Sequence, residues 1–234
     1  MTSAIPFTLG RNVNHDPRSR NFPAQPTATS VKTVLHQTAA PVLNQGQVGS
    51  CVGNAVAQCL NTMSFTRARF AAYVAGVLHR PYLNEDDALS LYIAATTIGG
   101  GPAYPPNDAG SDGLSGCKAA VQAGYLTAYR HAFSFDEFLL ALQDQPVIVG
   151  TNWYESMFAP NTSSGMVEVS GNMVGGHEYL VLGADIERQF VTLRNSWGPG
   201  WGRAGKFGLT FIDFQRLLGE QGDVTVPIGI SVAA

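Results

Sequence analysis

Four side chains in this sequence are of types that could support a nucleophilic thiol: Gln45, Cys51, His177 and Asn195. Cys51 stands in NQGQVGSCVGNAVAQ, between a glycine-rich turn and a run of apolar residues at helical spacing. A thiol at a helix N-terminus faces unpaired backbone N–H groups and the positive end of the helix dipole, which favour its anion. Gly49 and Ser50 permit a tight turn before it. The ordinary alternative is a small apolar residue opening a core helix. Cys59, among Val56, Leu60 and Met63, reads as core packing, and Cys117 beside Lys118 as structural.

A thiolate needs a proton partner. His177 lies in GGHEYLVLGAD, where two glycines lead into an apolar strand, so the ring is expected at the strand's mouth facing a cleft. His15, His36, His79 and His131 lie in polar or irregular surroundings and read as solvated. In RNSWGPGWG, Asn195 ends a β-prone run. Its carbonyl oxygen could accept from one imidazole N–H, with Trp197 shielding that bond. Taken singly, the histidine could be an ordinary surface residue and the asparagine ordinary turn chemistry.

The elements that must position these groups follow from pattern. Helices are expected from about 51 to 63, with an extension toward Leu78, and from Asp87 to Thr97, Leu114 to Ala123 and Phe135 to Leu142. Asn54, Gln58 and Asn61 fall between the apolar positions of the first helix. Residues 98–113 form a glycine- and proline-rich loop. After Pro146, short β-prone runs take over at 147–149, 179–182, 190–193 and 206–209. Helices first and strands second predict two lobes of different class.

Composition excludes several alternatives. A net charge of −3 and 13% charged residues give no basic face for nucleic acid. No apolar run approaches bilayer length, and the N-terminus has no evident signal-peptide pattern. Three cysteines do not make a disulfide framework, so a reducing, cytoplasm-like compartment is expected. There is no C-x-x-C pair, and His177-Glu178 fails the H-E-x-x-H pattern because position 181 is Val. Neither a metal nor a cofactor is expected.

Order and spacing change the weight of these readings. His177 follows Cys51 by roughly 130 residues, near the separation seen in papain-like enzymes. QGQVGSC, GGHEYLVLG and RNSWGPGWGRAGKFGL resemble the cysteine, histidine and asparagine boxes of the papain-like cysteine peptidases (family C1), in a form closer to the bacterial and bacteriophage branch. The likeness runs over about residues 30–215 and is weak in 64–110. It implies an α+β, two-lobe papain-like fold: an N-terminal extension (1–26), a helical lobe (about 43–130) and an antiparallel, barrel-like β lobe (about 131–234). It implies Cys51 as nucleophile, His177 as general base and acid paired with it as thiolate–imidazolium, and Asn195 orienting His177. Gln45 and the Cys51 backbone N–H would form the oxyanion hole. Asp112, Gly113, Gly176, Glu178 and Trp197 would line the substrate cleft, with Glu178 biasing one pocket toward a basic or polar side chain.

Two departures matter. The C-G-S-C-W signature reads Val48-Gly49-Ser50-Cys51-Val52, which removes a disulfide typical of secreted members and a large packing residue. About fifty residues precede Cys51, too few for a long inhibitory propeptide, so residues 1–25 are expected over or near the cleft. The expected partner is a peptide or protein substrate, with no nucleic acid or membrane and with a regulatory, assembly or virion role left open. The same fold and triad could serve an isopeptide, a peptidoglycan peptide or an acyl acceptor, or a non-catalytic binding scaffold.

Overall fold

The computed structural model describes residues 7–76 and 79–229. Two cores meet along one antiparallel sheet. The helical side is built from α1 (Cys51–Leu60), α2 (Met63–Val74), α3 (Glu85–Ile98) and α4 (Gly113–Gln122). The sheet contains β1 (Val34–Leu35), β2 (Ala128–His131), β3 (Val147–Tyr154), β4 (Met173–Asp185), β5 (Phe190–Arg194), β6 (Lys206–Thr210) and β7 (Asp223–Ile228). Its strand order is β2-β7-β3-β4-β5-β6, with β1 paired to β4. Helices α5 (Phe135–Asp144) and α6 (Phe211–Gly219) cover the face away from α1.

Strand alternation divides the two cores. Ile148, Leu180 and Leu182 point into the helical core with Leu60, Phe65 and Leu91. Val147, Val149, Tyr179 and Val181 point the other way, against Phe138, Leu142, Phe207 and Phe214. Both faces of β3 and β4 are therefore dry, which explains their nearly continuous apolar runs.

Several elements differ from the sequence expectation. The first helix stops at Leu60, where Asn61 takes the cap, and α2 starts afresh at Met63; the proposed extension toward Leu78 ends in residues outside those described. The polar residues of α1 and its cap lie inside the protein. Asn54, Gln58 and Asn61 are all buried, and Asn61 both donates to the carbonyl and accepts from the N–H of Leu83, each at 2.8 Å. The run at 179–182 belongs to a strand that begins at Met173, so His177 lies within β4, paired with Thr151, rather than at its mouth. His131 is buried in β2, not solvated. The expectations for α3, α4 and α5 fall within two residues of their ends, and Ser134 caps α5 by accepting from Glu137 N–H.

Candidate active site

Cys51 is the first residue of α1 and completely buried. No side chain caps this helix: the Ser50 hydroxyl and carbonyl are engaged by the Asn54 amide instead. The N-terminal N–H groups are therefore left facing the sulfur. The backbone amides of Glu178, Val52 and Gly10 lie close enough to favour its anion.

β4 brings His177 alongside α1, and its ring is fixed on the far side. Nε2 bonds Asn195 Oδ1 at 2.7 Å, just beyond the end of β5. The Asn195 oxygen also accepts from Ser196 N–H at 2.7 Å, so it is held from two directions. Trp197 stacks on the imidazole with centroids 4.7 Å apart, and Trp153 meets it edge-on at 4.9 Å. These rings exclude water from the His177–Asn195 bond. Nδ1, the other ring nitrogen, has no hydrogen-bond partner among the described residues.

A buried arginine supports Asn195 from below. Arg194 Nε donates to Gln58 Oε1 at 2.8 Å, and its Nη2 donates to the Ala40 carbonyl at 2.7 Å. Gln58 Nε2 donates in turn to the Asn195 carbonyl at 3.2 Å. Thus Gln58, a polar position on the nucleophile helix, ties that helix to the asparagine loop.

Gln45 lies in the turn before α1, held between Ser196 and Val48. Its Oε1 accepts from Ser196 Oγ at 2.6 Å, and its Nε2 donates to Val48 O at 2.9 Å and Thr8 O at 3.2 Å.

The Thr8 contact belongs to a longer feature. Residues 7–12 run as an extended strap through the groove between the helical side and the sheet. Phe7 stacks on Trp197 at 4.6 Å. Gly10 and Arg11 both donate backbone N–H groups to the Gly176 carbonyl, at 3.2 and 3.0 Å. Gly10 O accepts from Ser111 N–H at 2.9 Å, and Asn12 N–H donates back to Ser111 O at 2.6 Å, in parallel pairing. A Cβ on Gly10 would overlap the Gly49 carbonyl, so only glycine passes this point. Gly10 turns its N–H toward the Gly176 carbonyl and its own carbonyl toward Ser111.

The next strap residue fills a pocket beside the histidine. Arg11 is wholly buried; its guanidinium is ion-paired to Asp223 and donates to the Gln221 carbonyl at 2.5 Å. The Glu178 carboxylate lies next to it, fully buried, with both oxygens unpartnered among the described residues. Gly113 and Gly150 make room, since a Cβ at either would overlap a Glu178 oxygen. Burial raises the pKa of Glu178 well above the usual carboxylate range, with Asp223 repelling and Arg11 opposing the shift.

The same burial governs the thiol and imidazole. Cys51 is pushed up to about 12 and His177 down to about 4, in each case chiefly by desolvation of the charged form. With the strap in place, burial disfavours the charged form of both groups.

The structure thus gathers Gln45, Cys51, His177, Asn195, Gly113, Gly176, Glu178 and Trp197 around one groove. Asp112 is displaced from the contact surface: its carboxylate caps α4 through Ser115 N–H at 2.9 Å, and the strap pairs with Ser111 instead. Sequence reading missed Arg11, Asp223, Trp153 and the Gln58–Arg194 pair. Only Gln58, a polar residue among the apolar positions of the first helix, gave a signal for any of them. All three thiols are free, and no group of three metal-binding side chains occurs among the described residues.

Fold and site together define a papain-like cysteine proteinase scaffold, with a helical side, an antiparallel sheet and the site between them. No family model matches the chain. It is 28% identical over 106 residues to a cathepsin B-like cysteine proteinase of Schistosoma japonicum, a match covering 39% of this chain and 30% of the relative's length. Its structural neighbours include xylellain, a cysteine protease from the bacterium Xylella fastidiosa (TM-score 0.73, 20% identity, 98% of this chain and 99% of that one). They also include procathepsin B S9 from Trypanosoma congolense (TM-score 0.65, 12% identity, 95% and 87%) and procathepsin L2 from Tenebrio molitor larval midgut (TM-score 0.58, 17% identity, 97% and 81%). The chain is thus similar in sequence over part of its length to one cysteine proteinase, and similar in fold to several, a bacterial one among them.

Proposed function

We propose that this chain is a cysteine-dependent peptidase acting through a thioester. One observation carries the reading: the groove over Cys51 already holds an extended polypeptide. That polypeptide is bound through backbone groups of Gly176 and Ser111, through Gln45, and by a side-chain pocket. A groove that grips backbone in this manner suits an unfolded peptide.

In the reaction, His177 takes the Cys51 proton and the sulfur attacks the peptide carbonyl carbon. The resulting oxyanion accepts from Gln45 Nε2 and the Cys51 N–H. His177 gives its proton to the departing amine, leaving an acyl thioester. Water, deprotonated by His177, then attacks the thioester; the acid leaves and the thiol is restored. Asn195 keeps the ring turned so that Nδ1, not Nε2, serves the sulfur.

The pocket filled by Arg11 extends the reading to substrate class. Two buried carboxylates, Glu178 and Asp223, face one guanidinium, which supports a preference for an arginine side chain at the substrate position next to the reacting carbonyl. The parallel pairing of the strap with Ser111, and its passage over Cys51, support an inhibitory role for this segment. The free thiols support a reducing setting.

The test is turnover of a fluorogenic peptide panel under reducing conditions by the full chain, by Gly10→Val and by Cys51→Ala. Cleavage by the first two and none by the third is expected. Equal signals from all three would remove the peptidase reading.

A further inference from the structure

Gln45 can serve an oxyanion only if its amide is aimed, and the aim is set by one peptide plane. The carbonyl of Val48 accepts from Gln45 Nε2 at 2.9 Å. The N–H of Gly49, the other end of that plane, donates to Asp108 Oδ2 at 2.8 Å. Because the peptide unit is planar, fixing its N–H fixes the direction of its carbonyl. That carbonyl takes one N–H of Gln45, the Ser196 hydroxyl fixes Oε1, and the second N–H is left for the groove, where Thr8 O now sits.

Asp108 is itself anchored. Its Oδ1 accepts from the Tyr92 hydroxyl at 2.5 Å, and the Tyr92 oxygen accepts from Gly110 N–H at 3.0 Å. Tyr92 is fully buried on α3, against α1 at Gly53, where a Cβ would come within 3.0 Å of the Tyr92 Cβ. Asp108 stands on the glycine- and proline-rich loop, yet both its hydrogen bonds are half-buried. The Gly49 amide is thus tied to the loop by a carboxylate.

We infer that Asp108 is a positioning residue for the oxyanion hole, acting on Gln45 through the Val48–Gly49 peptide. The inference rests on the peptidase reading for its kinetic consequence but not for its structural one.

Two measurements test it. Kinetically, Asp108→Ala and Asp108→Asn are compared in the full chain carrying Gly10→Val, alone and combined with Gln45→Ala. Asp108→Ala should lower kcat about tenfold with little change in KM, Asp108→Asn, which keeps an acceptor oxygen, should recover most of it, and in the Gln45→Ala background Asp108→Ala should cost less than about twofold. An equal loss in both backgrounds, or a loss confined to KM, overturns the inference. Independently of turnover, the Gln45 side-chain amide signal, assigned by its loss in Gln45→Ala, should move toward free-glutamine values in Asp108→Asn and Asp108→Ala, more in the latter. An unmoved signal in both variants also overturns it. If no variant turns over any peptide, the peptidase reading fails and the amide signal alone decides the role of Asp108.

Discussion

Arg11, in the strap, and Asp223, at the start of β7, form an ion pair in which the arginine side chain has no solvent exposure. The pair joins the two ends of the chain across the groove that holds Cys51. Removing Arg11 would leave the largely buried Asp223 without its counter-charge, a loss typically of several kcal/mol for a broken buried pair. The strap would then lose its one ion pair, keeping its backbone bonds, the Gln45–Thr8 and Asn12–Ala109 hydrogen bonds and the Phe7–Trp197 stack.

Strap release is the first expectation. Arg11→Ala, and Gly10→Val by overlap with the Gly49 carbonyl, should each raise peptide turnover at least about tenfold, since ~1.4 kcal/mol of lost closure shifts the open fraction by that factor. Initial rates under reducing conditions measure this. Rates equal to the unaltered chain would show that the strap is no inhibitor.

The acidic pocket gives a second expectation. In the Gly10→Val chain, peptides with arginine at the position that fills the pocket should be cleaved at least about tenfold faster than those with citrulline, which keeps the shape and loses the charge. Glu178→Gln should shrink the ratio without abolishing cleavage of uncharged substrates. Equal kcat/KM for the two peptides would contradict the assignment.

Acid titration gives a third. His177 loses its proton more readily than an ordinary histidine, at about 4 rather than 6.5, because the closed groove desolvates the cation. The sign follows: opening exposes a ring that binds a proton where the closed ring does not. The imidazole's contribution to closure is therefore complete above about pH 6.5 and disappears as pH falls toward 4. In a Cys51→Ala chain, which removes the partner thiol, the His177 ring signal followed by NMR should titrate near 4 with the strap intact. With Gly10→Val added it should titrate closer to 6.5. The same midpoint in both would show that the strap does not seal the site.

Support beneath the asparagine gives a fourth. Gln58→Leu preserves bulk but strips the acceptor from Arg194 and Leu43 and the donor from the Asn195 carbonyl. Buried Arg194 would stay charged, since burial lowers it only to about 10. A loss of about 2–4 kcal/mol in chemical unfolding is expected, with turnover falling as Asn195 shifts. Unchanged stability would place the load elsewhere.

How much of this was legible beforehand depends on the range of the signal. Cys51, His177 and Asn195 announce themselves because each sits in a short stretch whose glycines, apolar run and turn residues are readable locally. The same holds for the helix start at Ser134, where a cap side chain precedes the periodic run. What escaped is non-local. Asp223 and Arg11 meet across more than two hundred residues, and nothing near either one hints at the other. His131 and Gln58 look polar in sequence and are buried because tertiary contacts supply their surroundings. The placement of His177 inside β4 was hidden by Gly175 and Gly176. They read as a strand's end but serve here to let Leu9 and Arg11 of the strap approach the backbone.

The most direct test is covalent labelling of the Gly10→Val chain with a thiol-directed epoxide, read by peptide mass spectrometry. A nucleophile poised by His177 should react at Cys51 alone, leave Cys59 and Cys117 untouched, and lose that reactivity in His177→Ala. Labelling of Cys51 at the same rate with and without the histidine would contradict the proposal that these two residues act as one catalytic unit.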